Sequence, residues 1–205
     1  MTAFSLRQIF LIGIWLVAVG FGFFLLESYE NTPGKAATVA SYWPTNSRLE
    51  RSSSQDTLIL FLHPECPCSA ASVEELEVIL ARAKAKPHTI IAFLKMESEK
   101  EISQSRLWAE CQSIPTAHLA FVSQRDAQLF GATTSGFTAL YDRHGSLLFE
   151  GGITAERNHS GDNFGVSAIT SLLDGKSVST RHQPTFGCAL FSMQESRSTK
   201  AANGV

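Results

Sequence analysis

This sequence has no surplus of charge of either sign. Its 17 lysines and arginines against 19 aspartates and glutamates leave a formal net charge of -2. There is no basic excess to hold nucleic acid and no acidic block to serve as a solvating tail. Cysteine is scarce as well: four residues, at positions 66, 68, 111 and 188 of 205. That is too few for a disulfide-dense mini-protein, and a chain of this length buries a core without such staples. A Gly-rich phosphate loop, a Ser/His/Asp order, a haem-attachment Cys-x-x-Cys-His and a zinc-type spacing are all missing, and no internal repeat is visible. The cysteines therefore pose a question of chemistry rather than of scaffolding.

One long apolar run is present. Ile9 to Leu26 reads IFLIGIWLVAVGFGFFLL, 18 residues without a charge, between Arg7 and Glu27. At about 1.5 Å per residue it spans roughly 27 Å, close to the hydrocarbon thickness of a bilayer. A cleaved signal peptide has a shorter apolar core with a small-residue site close behind it. Here the first such site lies near Thr38 to Ala40, well past Leu26. The reading is a signal-anchor helix over 9–26, with residues 1–8 cytoplasmic, and cleavage is the alternative. Arg7 and the α-amino group then stay inside, and residues 27 onward are exported. In a bacterium this makes a single-pass protein of the cytoplasmic (inner) membrane with its C-terminal part in the periplasm or extracytoplasmic space, where disulfides persist.

Residues 27–55 read as a linker broken by Asn31, Thr32, Pro33 and Gly34, with Tyr42, Trp43 and Pro44 as an apolar island that packs on the domain. Residues 56–190 read as one domain and 191–205 as a flexible tail. Within the domain, strand and helix patterns alternate. Thr57 to His63 is a continuous apolar run, as for a central strand buried on both faces. Val73, Leu76, Leu80 and Ala83 follow at helical spacing, with a start either at a Ser72/Glu75 capping box or nearer Pro67. Strands are expected at Thr89–Leu94 and His118–Val122, and helical segments at Ser105–Gln112 and Asp126–Phe130. A hairpin of Phe137–Tyr141 and Leu147–Glu150 is expected around Asp142-Arg143-His144-Gly145, then a helix over Val166–Leu173. This order predicts an α/β fold, a central mixed sheet flanked by helices, preceded by one transmembrane helix.

His63-Pro64-Glu65-Cys66-Pro67-Cys68-Ser69 lies between the first strand and its helix. Open α/β sheets usually place their chemistry at such strand ends. A thiol at a helix N-terminus feels partial positive charge, which favours the thiolate, the form that attacks disulfides and binds soft metals. A Cys66–Cys68 disulfide closes a small ring around Pro67 and should be strained, which suits an oxidase or isomerase better than a strong reductant. His63 is a candidate base for Cys66 or a candidate ligand, or else a histidine packed at a strand end. Cys188, in PTFGC after the last helix, can fold back on Cys66 or Cys68, supply a third thiolate, or pair with Cys111. Cys111 reads as buried packing. Arg157, His159, Asp162 and Asn163 precede the final helix, where they either order the loop, with Asp162 or Ser160 as the expected cap, or form a functional loop.

LILFLHPECPCSAASVEEL and FGATTSGFTALYDRHGSLLFEGG resemble the strand, active-site loop and first helix, and then the later hairpin region, of the thioredoxin superfamily. HPxCPC, GATTSG, LYDxxGxLLFxGGIT, HxGDNxG and the late FGC look most similar to a membrane-anchored RedB-like group. The resemblance implies a thioredoxin-like fold, with Cys66 as exposed nucleophile and Cys68 as its partner. It also puts Gly136, after Ser135, where thioredoxins carry a cis-proline facing the cysteines. His63 stands where a peroxiredoxin needs threonine or serine, which argues against peroxidase chemistry.

Three functions follow as expectations. The first is a thiol-disulfide oxidoreductase using Cys66, Cys68, His63, Ser135 and Gly136 on a protein thiol or disulfide, with a membrane or extracytoplasmic redox partner. The second is a Cu(I)-binding metallochaperone-like module using Cys66, Cys68, Cys188 and His63, since soft thiolates select that ion. The third is a redox-inactive interaction domain.

Overall fold

In a computed structural model, residues 5–35, 37–95 and 98–191 are described; most of the expected tail, 192–205, and the first four residues lie outside them. The chain divides into two compact units, Met1–Thr32 and Pro33–Val205. The first is a single helix, α1 (Leu6–Glu30), longer at both ends than the uncharged run. Ser5 caps it by accepting from the Gln8 N–H, and the Gln8 side chain accepts from the Ser5 N–H, a reciprocal capping box. None of its residues is buried, and it is long and apolar enough to be a membrane anchor or a signal sequence.

The second unit holds a six-stranded mixed sheet with helices. Its elements are β1 (Thr57–Leu62), α2 (Ser69–Arg82), β2 (His88–Leu94), α3 (Glu99–Ser103), α4 (Arg106–Gln112), β3 (Ala117–Val122), α5 (Gln124–Leu129), β4 (Phe137–Tyr141), β5 (Leu147–Gly151), α6 (Phe164–Leu173) and β6 (His182–Gln183). The sheet order is β3-β2-β1-β4-β5-β6. β1 pairs parallel with β2 on one side and antiparallel with β4 on the other.

β1 is central because both its faces are apolar. Leu58, Leu60 and Leu62 point into a core with Val73, Leu76 and Ile79 of α2, Cys111 of α4, and Val166, Ile169 and Leu173 of α6. Ile59 and Phe61 point the other way, among Ala127 of α5, Phe130, Phe137, Tyr141 and Leu190. The period of two in a strand sends alternate residues to opposite faces, so a strand covered on both sides must be apolar throughout. Burying these five side chains contributes on the order of 10 kcal/mol before chain entropy is counted.

Part of the stretch expected as linker belongs to this unit. Trp43, Val39 and Leu49 pack against the second core, the Trp43 ring lies edge-on 4.9 Å from Phe130, and the Trp43 N–H donates to the Gly145 carbonyl. Tyr42, by contrast, stays exposed. The helix after the cysteines starts at Ser69, near Pro67, rather than at Ser72. Ser72 lies inside it, and Glu75 is buried and accepts from the Gly161 N–H instead of closing a capping box. The short α3 and β6 were not expected. Five and two residues are too few to display a period.

Candidate functional site

The chain leaves β1 at Leu62 and enters α2 through two tight turns. The Cys66 N–H donates to the His63 carbonyl at 3.1 Å, and the Ser69 N–H to the Cys66 carbonyl at 3.0 Å. Pro64 and Pro67 fit because neither of these bonds needs their missing N–H. Cys68 is the N-cap of α2, with no side-chain cap bond of its own, so both thiols sit at the helix entrance.

A closed ring of hydrogen bonds holds this loop. The His63 N–H donates to the Ser135 hydroxyl at 2.9 Å, the Ser69 hydroxyl donates to the His63 carbonyl at 3.0 Å, and the two serine hydroxyls lie 3.0 Å apart. Ser69 spends its proton on the carbonyl, so Ser135 must donate to Ser69. Both serines are fully buried. One residue on, the Gly136 N–H donates to the Phe61 carbonyl at 2.8 Å. Gly136 has φ +89°, and a Cβ there would come within 2.7 Å of the Ser72 hydroxyl. Only glycine meets both conditions without strain. Ser135 and Gly136, expected to face the cysteines, lie against the cysteine loop, and no cis peptide bond occurs among the described residues.

Cys188 arrives from the other end of the chain on a strap that follows β6. The strap pairs with the segment 133–135. The Ser135 N–H donates to the Cys188 carbonyl at 2.8 Å, the Leu190 N–H donates to the Thr133 carbonyl at 2.9 Å, and Thr134 bridges Ala189. Gly187 packs so closely on the Ser135 carbonyl that a Cβ would overlap it. The Arg157 guanidinium donates to the Gly187 carbonyl and ties the strap to the loop before α6.

These contacts bring the Sγ atoms of Cys66, Cys68 and Cys188 within 4.8 Å of one another. All three are free thiols, Cys66 and Cys68 buried and Cys188 half-buried. Burial pushes the Cys66 thiol up. Hydrogen bonds from the Cys188 thiol and N–H, and from the Cys68 N–H and thiol, outweigh it and hold Cys66 below the ordinary thiol range. Cys68 moves up, through burial and then the charge and hydrogen bond of Cys66; the Asn158 N–H and the Arg157 charge oppose this in part. Cys188 is pushed up to about 12 by burial and by its neighbouring sulfurs. Of the three thiols, Cys66 is therefore the first to ionise, and its charge opposes ionisation of the other two.

His63 is placed differently. Its Nδ1 accepts from the Glu65 N–H at 3.2 Å, and burial lowers its pKa, which keeps it neutral. The thiol group comprises Cys66, Cys68 and Cys188 without a His63 nitrogen. Cys111 is fully buried in the first core, away from this group. In the loop before α6, the cap is Asn163, which accepts from the Val166 N–H at 2.9 Å and donates to the Ile153 carbonyl. Asp162 is instead exposed, 3.8 Å from Arg82. His159 sits 3.5 Å from Glu156. Asn158 adopts φ +54°, a left-handed conformation that asparagine tolerates better than most residues, and aims its N–H at Cys68. Asn158 and Ser69 were not expected at the site. Their only sequence signals are an asparagine in a polar loop and a small polar residue directly after Cys68.

A groove of about 600 Å3 opens beside Cys66, lined among others by Glu65, Pro67, Ala70, Glu74 and Leu107. The cysteine group fits a redox or a metal-binding role.

No protein-family model matches the chain, and no curated protein matches it. Solved structures do. An uncharacterised conserved protein from Geobacillus kaustophilus superposes with a TM-score of 0.53 at 16% identity, covering 79% of this chain and 93% of that one. A hypothetical protein from Sinorhizobium meliloti gives 0.48 at 19% identity, covering 79% and 96%. The exposed lipoprotein thioredoxin Etrx1 of Streptococcus pneumoniae gives 0.37 at 16% identity, covering 60% and 86%. The first likeness is one of fold.

Proposed function

We propose that this chain is a membrane-anchored thiol-disulfide oxidoreductase of thioredoxin-like fold, similar to the RedB-like group, working on the extracytoplasmic side. The observation that carries the reading is the group of three thiols within 4.8 Å, in which the neighbours of Cys66 lower its pKa. Its setting supports the fold reading. The cysteine loop follows the central strand, and Ser135 and Gly136 press on it from the segment before β4, the place the thioredoxin resemblance assigns to them.

In the reducing direction, the Cys66 thiolate attacks one sulfur of a substrate disulfide. The substrate S–S bond breaks, one substrate thiolate leaves, and Cys66 is joined to the other sulfur. A second chain thiol, deprotonated by solvent, then attacks the Cys66 sulfur and releases the second substrate thiolate. The substrate gains two electrons, and the chain ends with one disulfide. Cys188 is the better resolving partner. The thiol and N–H of both cysteines face the Cys66 sulfur, but a Cys66–Cys68 disulfide would close a small, strained ring around Pro67. His63 takes no proton in this scheme and shapes the loop through its backbone.

The test uses the full chain in detergent, metal-free, equilibrated in glutathione buffers and read by thiol trapping with mass spectrometry. One reversible disulfide containing Cys66 is expected, with Cys111 a thiol throughout. A chain that forms no intramolecular disulfide at any ratio refutes the proposal, and Cys66→Ser should abolish the transition.

A further inference from the structure

We infer that the reduced thiol group is also a binding site for one Cu(I) ion, held by the Cys66, Cys68 and Cys188 sulfurs, with His63 outside the ligand set. The inference stands apart from the exchange reading, because the ion needs three reduced thiols whether or not they exchange with a partner.

The donor set selects the ion. Thiolates favour soft cations, and Cu(I) is satisfied by two or three sulfurs. Structural Zn(II) asks for four ligands, and among the described residues the group contains three, with no histidine or carboxylate added. A trigonal ion with metal–sulfur bonds of about 2.3 Å needs its sulfurs roughly 4 Å apart. Sulfurs already within 4.8 Å reach that spacing by closing in less than about 1 Å. Two of the ligands come from the entrance of α2, and the third from a strap fixed by Ser135, Thr133 and Arg157. The loop and the strap are each anchored by backbone bonds, so the site is preorganised.

Charge also favours the ion. Three thiolates and Cu(I) carry a net charge of -2, and the Arg157 guanidinium beside Cys68 and Cys188 offsets part of it. The thiol protons leave to solvent as the ion enters, and no electron is transferred. Oxidised glutathione, taking two electrons and two protons from any two of these cysteines as it is reduced to two thiols, leaves a disulfide in the chain, which removes two ligands and expels the ion.

The test is an anaerobic titration of the reduced full chain in detergent with Cu(I) against a chromogenic competing chelator, with X-ray absorption to count sulfur neighbours. One Cu(I) per chain with three sulfur neighbours is expected. Cys188→Ser should leave two sulfur neighbours and bind at least about tenfold more weakly, Cys68→Ser should do likewise, and Cys111→Ser should match the parent chain. Circular dichroism establishes that each variant is folded. A Cys188→Ser chain that keeps three sulfur neighbours and parental affinity overturns the site, as does parental binding that Cys111→Ser abolishes. A chain that binds Cu(I) as described but forms no disulfide in glutathione buffers would refute the exchange reading and leave this one standing.

Discussion

Replacing Cys188 by alanine should make Cys66 a weaker acid. The substitution removes the thiol donor to the Cys66 sulfur and leaves the backbone N–H of residue 188 in place. A hydrogen bond to a charged group contributes about 1.5–3 kcal/mol, and a thiol is a weak donor, so the lower end applies. A change of about 1.4 kcal/mol is tenfold in ionisation. On the acid side of its midpoint, Cys66 should therefore carry about tenfold less thiolate than in the parent. The assay is the rate of Cys66 alkylation by iodoacetamide across pH in the reduced full chain, followed peptide by peptide. The midpoint reports ionisation and the alkaline plateau reports access. Alanine should raise both, because it also uncovers the sulfur. Serine at 188 keeps a donor hydroxyl and should hold the midpoint low. If alanine and serine give the same midpoint as cysteine, the strap does not stabilise the thiolate and the reasoning fails.

Further outcomes follow from the same contacts. Ser135→Ala leaves the part-buried His63 N–H without its acceptor and the buried Ser69 hydroxyl without its donor, and should lower unfolding stability by about 1 kcal/mol in urea titration; an unchanged midpoint would mean the hydroxyl ring is not formed in solution. Gly187→Ala drives a methyl into the Ser135 carbonyl, and should lift the strap and raise the alkylation plateau of Cys66 severalfold without destroying the sheet, as read by circular dichroism. Cys111 is pushed up to about 12 by burial in the folded chain, against about 8.5 when unfolded. Its contribution is complete below about pH 8.5 and is lost as pH rises toward 12, at about 1.4 kcal/mol per pH unit. Cys111→Ala should therefore flatten the alkaline decline of stability between about pH 9 and 11 relative to the parent. His63→Asn should move the Cys66 alkylation midpoint less than Cys188→Ala, because Cys188 supplies the largest of the interactions that lower the Cys66 pKa.

The parts of the fold that were legible in the sequence are those whose burial is local. Thr57 to Leu62 is apolar at every position because both faces are covered, and the hairpin turn shows in Asp142 and Gly145, where the Asp142 carboxylate accepts from the His144 and Ser146 N–H groups. The cysteine loop was legible too, since two prolines around Cys66 between a strand and a helix leave few alternatives. The destination of Cys188 was not. Its two expected partners, the Cys66 loop and Cys111, are both distant in sequence, and only the pairing of the strap with residues 133–135 chooses between them. The cap of α6 failed for a different reason. Ser160, Asp162 and Asn163 are all good capping residues, and position relative to the first turn, which pattern does not fix, selects Asn163. His63 is a base candidate by residue type; the structure adds that its Nδ1 accepts from the Glu65 N–H and its backbone N–H donates to Ser135, contacts that pattern alone does not show.

Chains are made from the N-terminus, so the order of the three thiols along the sequence is also an order in time. Cys66 and Cys68 emerge with the first strand of the sheet, while the strap bearing Cys188 comes after the last helix and after every core strand. For most of its synthesis the molecule therefore has an exposed pair of thiols and no third sulfur to shield or resolve them. Only a chain that includes the strap can close the site, and a product cut short before it would lose Leu190 from the second core along with the third sulfur. Arrival of the strap is thus the last event in assembling the thiol group.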